Sequence, residues 1–401
     1  MNPRRIVLPE ALLAADAACL RAAERLLDTF LEWPSPVGLE LFREALARAR
    51  RTAEEEAADD LARRHLESCW DVLDAVIRTR LEWPRRPVED LLRVLGGGGV
   101  LERLVEAVRG TDPELAWAYL AERHRRRGGR VPPSAPGVRE RIEDEGRRIT
   151  ALFREWLANR GWDLPGLDAR VTVDPGDRAR SSYRPARRLV VLGGADFMVF
   201  EGPDGSPRVS AVIVLSSLAH ELAGHAVQAA LSRELPRPLR PDRDARLRFA
   251  ALPLAEGFAG RATALALECA REIAPELGFD SADLEFLEMM TSLAPFHHAT
   301  SALLDLAALR ARQEPGFDAA GWLEEACGHG GFGELLAEVE RVPIYRLLYD
   351  VSSFLGLAAV EETEAELARR GITGPEAWRL LGCGAWALPC YRDAVLSGIG
   401  G

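Results

Sequence analysis

The chain has 401 residues, 47% of them hydrophobic and 28% charged, with a formal net charge of -11. This is the composition of a globular protein long enough for one large domain or two ordinary ones, and acidic and basic residues interspersed along it argue against a nucleic-acid binder. All the positive charge is arginine, since the sequence contains no lysine, so Schiff-base enzymes, P-loop nucleotidases and protein kinases, which need an amine side chain, are excluded.

From residue 8 to about 127 apolar residues recur at spacings of three and four, as in LLAADAACLRAAERLLDTFL and ESCWDVLDAVIRTRL. That period predicts helices, broken at Pro34, Pro84 and the run Gly96 to Gly99. LEWP occurs at 31–34 and again at 81–84, which two helices ending at proline explain. A basic run from Arg123 to Arg130 leads into VPPSAPG and reads as a solvated helix end before a linker. The chain thus divides into an N-terminal helical region, 1–130, and a second region, 138–401. The first residues break their apolar positions with charge, the six cysteines form no CxxC pair, and nothing approaches the roughly 18 apolar residues of a membrane span. A cytoplasmic protein with reduced, buried thiols and no membrane partner is expected.

After the helical stretch REWLANRGW come ARVTVD, RRLVVL, DFMVFE and RVSAVIV, short and β-rich, separated by GG and GPDGSP turns. They predict a small antiparallel sheet or hairpin. Helical periodicity returns at LSSLAHELAGHAVQAALSREL, with Ser216 or Ser217 as candidate caps, and continues nearly to the end. The expected fold is mainly α (α+β), helical with a small antiparallel sheet beside the histidine-bearing helix.

That helix carries the chemistry. His220 and His225 stand in HELAGH, and Glu256 in AEGFA follows 31 residues after His225. Two histidines and a distant glutamate are a ligand set for catalytic zinc, which keeps a fourth position for water. The metal acidifies that water, and Glu221, next to the first histidine, is placed to accept its proton as it attacks a carbonyl. On a regular helix, residues five apart point about 140° apart, against about 40° for the usual spacing of four. Both histidines can meet one ion only where the helix is widened, as a π-bulge does. Gly224, before the second histidine, tolerates that distortion at least cost.

HELAGH resembles the HExxGH signature of dipeptidyl peptidase III, although the EECxxE motif that supplies the third ligand there is missing here. The region from the strands onward is more similar to a bacterial peptidase-like family with HExxPGHHxQ and EGWA motifs. His220, Glu221, Gly224, His225 and Gln228 match the first motif, and Glu256, Gly257 and Ala259 match the second. One residue and the proline are lost before the glycine, and Ala226 replaces a histidine. The HExGTH and EEGLA motifs of the tubulin tyrosine carboxypeptidase group are similar as well. These resemblances cover roughly residues 170 to 360 and imply a zincin-like, gluzincin-type metallopeptidase with one Zn2+ per chain, bound by His220, His225 and Glu256. The three groups differ in substrate; a peptide or small amide substrate is expected, with Glu221 as general base.

Zinc peptidases also place a donor where charge develops on the carbonyl oxygen. Tyr349 is the first choice by resemblance, because ERVPIYRLLY at 340–349 is similar to a segment of the EGWA family. Tyr345, His297, His298 and Arg341 are alternatives, and the His297, His298 pair opens a helix after Pro295. Asp305 and Glu268 are candidate acceptors for the ligand histidines. Gly257, Ala259 and Gly260 read as small residues that let the third-ligand helix approach HELAGH. Two rival functions stand beside the peptidase: a zinc enzyme tailoring a small amide or natural product, and a non-catalytic helical binding protein derived from a peptidase.

Overall fold

A computed structural model of the chain describes residues 6, 8–28, 36–56, 59–81, 89–127, 137–176, 179–201, 207–241, 249–328, 330, 336 and 344–397. The first part is helical, with α1 (Glu10–Asp28), α2 (Pro36–Glu55), α3 (Asp60–Leu81), α4 (Glu89–Gly96), α5 (Val100–Arg109), α6 (Pro113–Arg127) and α7 (Val138–Asn159). Apolar residues at helical spacing turn inward, as Val100, Leu104 and Val108 do in α5. The glycine run separates α4 from α5 because Gly97 and Gly99 take φ of 79° and 84°, the left-handed region that side chains avoid. Pro34, Pro84 and residues 128–136 of the linker lie outside the described residues.

The β part departs from a purely antiparallel sheet. Strands β1 (Arg170–Asp174), β2 (Ser182–Arg184) and β3 (Leu189–Gly193) form a mixed sheet of order β1-β3-β2, with β1 parallel to β3 and β2 antiparallel to it. Every residue of β3 is buried, whereas β1 alternates exposed and half-buried positions. The unbroken apolar run LVVLG therefore takes the centre and β1 an edge. β4 (Met198–Glu201) and β5 (Pro207–Ser210) make a separate antiparallel hairpin.

The expected strand RVSAVIV ends at Ser210, and helix α8 (Val212–Leu218) begins two residues later. Val212, Val214 and Leu215 are wholly buried, and that burial overrides the β preference of branched side chains. Ser216 and Ser217 consequently lie inside the helix and cap nothing; the N-cap is Ala211, with no side-chain bond.

A π-helical segment (Ala219–Ala226) and α9 (Val227–Leu231) continue α8 as one rod. Then follow α10 (Leu252–Leu277), α11 (Ser281–Ser292), α12 (Ala294–Gln313), α13 (Ala319–Cys327), α14 (Ile344–Arg369), α15 (Gly374–Leu381) and α16 (Leu388–Ser397). Helix α10 packs against the π segment on one side and α14 on another. Gly257 and Gly356 make the second crossing possible, because a Cβ on either would overlap backbone of the other helix. Gly257 thus serves the α14 contact and not the approach to HELAGH, and Gly260 also faces α14, at Leu357.

One hydrophobic core runs from Leu12 and Trp70 through Phe153 to Phe258 and Val395. Helix α5 packs on α12, α3 on α16 and α6 on α11, so the N-terminal helices share this core with the later ones. His65 is a structural histidine within it: the Ala387 N–H donates to Nδ1 at 2.9 Å, and Nε2 is 3.1 Å from the Pro238 carbonyl, to which it donates. Among the described residues no helix is long and apolar enough to cross a membrane.

Candidate metal centre

The π segment spans the whole of AHELAGHA. Its wider turn brings residues five apart onto one face, as the sequence spacing requires. The rings of His220 and His225 stand 4.8 Å apart at 86°, each with Nε2 aimed at Glu256. His220 Nε2 is 3.6 Å from Glu256 Oε2 and His225 Nε2 is 3.7 Å from Oε1. Nitrogen and oxygen atoms bound to one tetrahedral zinc at 2.0–2.1 Å lie about 3.3–3.4 Å from each other, close to the two histidine–glutamate separations, and the three ligand atoms together lie within 4.8 Å of one another, so a zinc ion would draw the set inward. No other His, Cys, Asp or Glu joins the three among the described residues.

Gly224 lies within the π segment without a positive φ, and its small size serves packing. A Cβ there would lie 2.5 Å from the Cα and 2.8 Å from the Cβ of Ala259, so α10 approaches the π segment at this point. The approach lets the His220 ring donate to the Ala259 carbonyl. Metal-ligating imidazoles normally have such an acceptor for their second N–H. From the other side Trp378 of α15 donates its indole N–H to the Ala223 carbonyl at 3.0 Å, with its ring 4.7 Å from that of Phe258. Neither the Ala259 carbonyl nor Trp378 was marked by any sequence motif. Asp305 and Glu268, the candidate acceptors, stand elsewhere: Asp305 faces Arg346 and Glu268 is exposed.

Burial alone would push the Glu256 carboxyl up. The His225 charge, the hydrogen bond and charge of His220, and a hydrogen bond from Tyr349 outweigh it and bring the carboxyl down to about 2. Burial works against the charged form of His220, but Glu256 and the neighbouring Glu221 raise it above its ordinary value. The Tyr349 hydroxyl is held well above its ordinary range, first by the charge of Glu256 and then by burial. Glu221, only 8% exposed, is near enough for its charge to act on both His220 and Tyr349.

A cavity of about 320 Å³ opens on this cluster. His220 and Glu256 line it with Ser216 and Ser217 of α8, Tyr119 of α6, His297 and His298 of α12, and Tyr349 of α14. Tyr349, His297 and His298 are thus all brought to the site. Gln228, matched to the peptidase motif, is buried away from the cavity and donates towards the Gly384 carbonyl. Arg341 and the Tyr345 side chain lie outside the described residues.

No family model matches the chain, and no curated protein matches it. Among solved structures it is similar to the crystal structure of the "putative lipoprotein" from Colwellia psychrerythraea, at a TM-score of 0.49 and 16% identity over 96% of this chain and 67% of that one.

Proposed function

We propose that the chain is a zinc-dependent hydrolase that cleaves a peptide or isopeptide bond in a short peptide or other small amide. The observation that carries this reading is the π-helical HELAGH segment, which turns two histidines five residues apart onto one half-buried glutamate. Three protein ligands without a fourth are the pattern of catalytic zinc, whereas structural sites are closed by four. A zinc ion held by His220, His225 and Glu256 would supply a Lewis acid and an acidified water.

The remaining chemistry belongs to the chain. Glu221, buried beside His220, takes the proton of the attacking water and delivers it to the leaving nitrogen. Tyr349 keeps its proton, so its O–H is a donor for the carbonyl oxygen as negative charge develops there. His298, on the same cavity, is a second group for the substrate. A non-catalytic binding protein would have no use for a buried carboxylate in the position of Glu221.

The cavity volume favours a short peptide or small amide over a folded protein, and on that ground a biosynthetic amide hydrolase remains the second reading. All six cysteines are free, which supports a reducing, cytoplasmic setting. The test is turnover of a quenched-fluorescent short-peptide library by zinc-loaded protein, with Glu221→Gln as control. Cleavage lost in the variant supports the peptidase. Turnover of small amides but of no peptide selects the second reading, and turnover unaffected by Glu221→Gln removes both.

A further inference from the structure

His298 belongs to a line of ionisable groups shared by α12 and α14 that the metal cluster does not require. Its Nδ1 is 3.6 Å from Oδ1 of the buried Asp350. One turn earlier on α14, Arg346 has Nε 4.0 Å from Asp350 Oδ2 and 3.3 Å from Oδ2 of Asp305. Asp305 lies two turns beyond His298 on α12, is wholly buried, and accepts no hydrogen bond at either oxygen among the described residues. One half-exposed guanidinium therefore sits between two buried carboxylates, an arrangement that is costly to bury.

The far end of this line opens on the cavity, because His298 lines it. Asp350 follows Tyr349 directly, so the turn of α14 that puts the tyrosine hydroxyl on Glu256 also puts a carboxylate behind His298. A carboxylate on one ring nitrogen fixes which nitrogen carries the proton. At 3.6 Å the two are in contact and Nδ1 has no hydrogen bond among the described residues, and catalytic bonds commonly tighten when substrate binds.

We propose that Asp350 is a positioning residue that holds His298 as the Nδ1–H tautomer, leaving Nε2 to meet a substrate N–H or O–H, with Arg346 and Asp305 holding Asp350 in place. The substrate side of this statement rests on the hydrolase reading; the tautomer does not. His297, its neighbour, meets the Tyr119 ring edge-on at 6.2 Å.

The experiment is imidazole nitrogen NMR on the full chain, with the His298 signals assigned by their loss in His298→Gln. At a pH where the ring is neutral, wild type should show a single Nδ1–H tautomer, and Asp350→Asn should shift the population toward Nε2–H while the other histidines keep their signals. On a substrate that the protein turns over, Asp350→Asn should lower kcat roughly tenfold or more with KM little changed. A wild-type His298 that is Nε2–H, or a tautomer population unchanged in Asp350→Asn, overturns the proposal. The wild-type spectrum decides even where the variant does not fold. Should no substrate be found, the tautomer result stands apart; should peptides be cleaved while His298 is Nε2–H, the positioning role alone falls.

Discussion

Ala259 lies directly against Gly224, with room for no side chain between them, and that contact delivers the Ala259 carbonyl to His220. Packing of α10 on the π segment and orientation of the first metal-binding histidine are therefore one feature. Gly224→Ala should push the two helices apart at a cost of about 1–3 kcal/mol and weaken zinc binding by roughly 10- to 100-fold. Thermal unfolding and competition with a chromogenic chelator measure the two effects. A variant with unchanged zinc affinity would detach the packing from the site.

Trp378 braces the same segment from α15 through the Ala223 carbonyl. Trp378→Phe keeps the ring beside Phe258 and removes the indole donor to a buried helix carbonyl. A loss of about 0.5–1.5 kcal/mol is expected, read from denaturant midpoints with the slope unchanged. No loss would mean that water satisfies the carbonyl.

Tyr349 reaches Glu256 with its hydroxyl, yet it is no ligand in the proposed set. Tyr349→Phe should therefore retain the metal while kcat falls about 100-fold, the effect of deleting one donor to a developing oxyanion. Steady-state kinetics beside metal analysis separate the roles, and a variant that loses zinc would make the tyrosine a support for Glu256.

Asp305 gives the fold a pH dependence of definite sign. Burial pushes its carboxyl from 3.8 up to about 7, the nearby Arg346 opposing and Asp350 adding to the rise. Between these values the folded chain keeps a proton that the unfolded chain has released, so the contribution is present in full below pH 4 and is lost as pH rises through about 7. Asp305→Asn should remove that loss and gain on wild type by on the order of 2 kcal/mol at pH 8, with no gain at pH 4. Urea titrations at the two pH values decide it; an equal effect at both would show that Asp305 does not titrate in this window.

The parts legible in the sequence were those governed by local period and spacing. The i, i+5 histidines demanded a widened helix, and the π segment covers them; the glycine run marked the end of α4. What escaped depends on contacts between distant segments. Burial against α7 and α10 makes Val212 helical despite its β preference, and the fully apolar β3 takes the centre of the sheet, pairing parallel with β1. Ala259 acts through its backbone and Trp378 lies 153 residues beyond His225, so neither carries a local signature. Asp305, a candidate acceptor for the ligand histidines by residue type, instead faces Arg346 from α12, a contact between helices that no local pattern marks.

The most direct measurement is metal content by elemental mass spectrometry on the purified, zinc-reconstituted chain, together with His220→Ala and Glu256→Ala. A three-ligand site requires about one zinc per chain in wild type and its loss in both variants. A wild-type chain that binds no metal, or zinc that persists in Glu256→Ala, would contradict it.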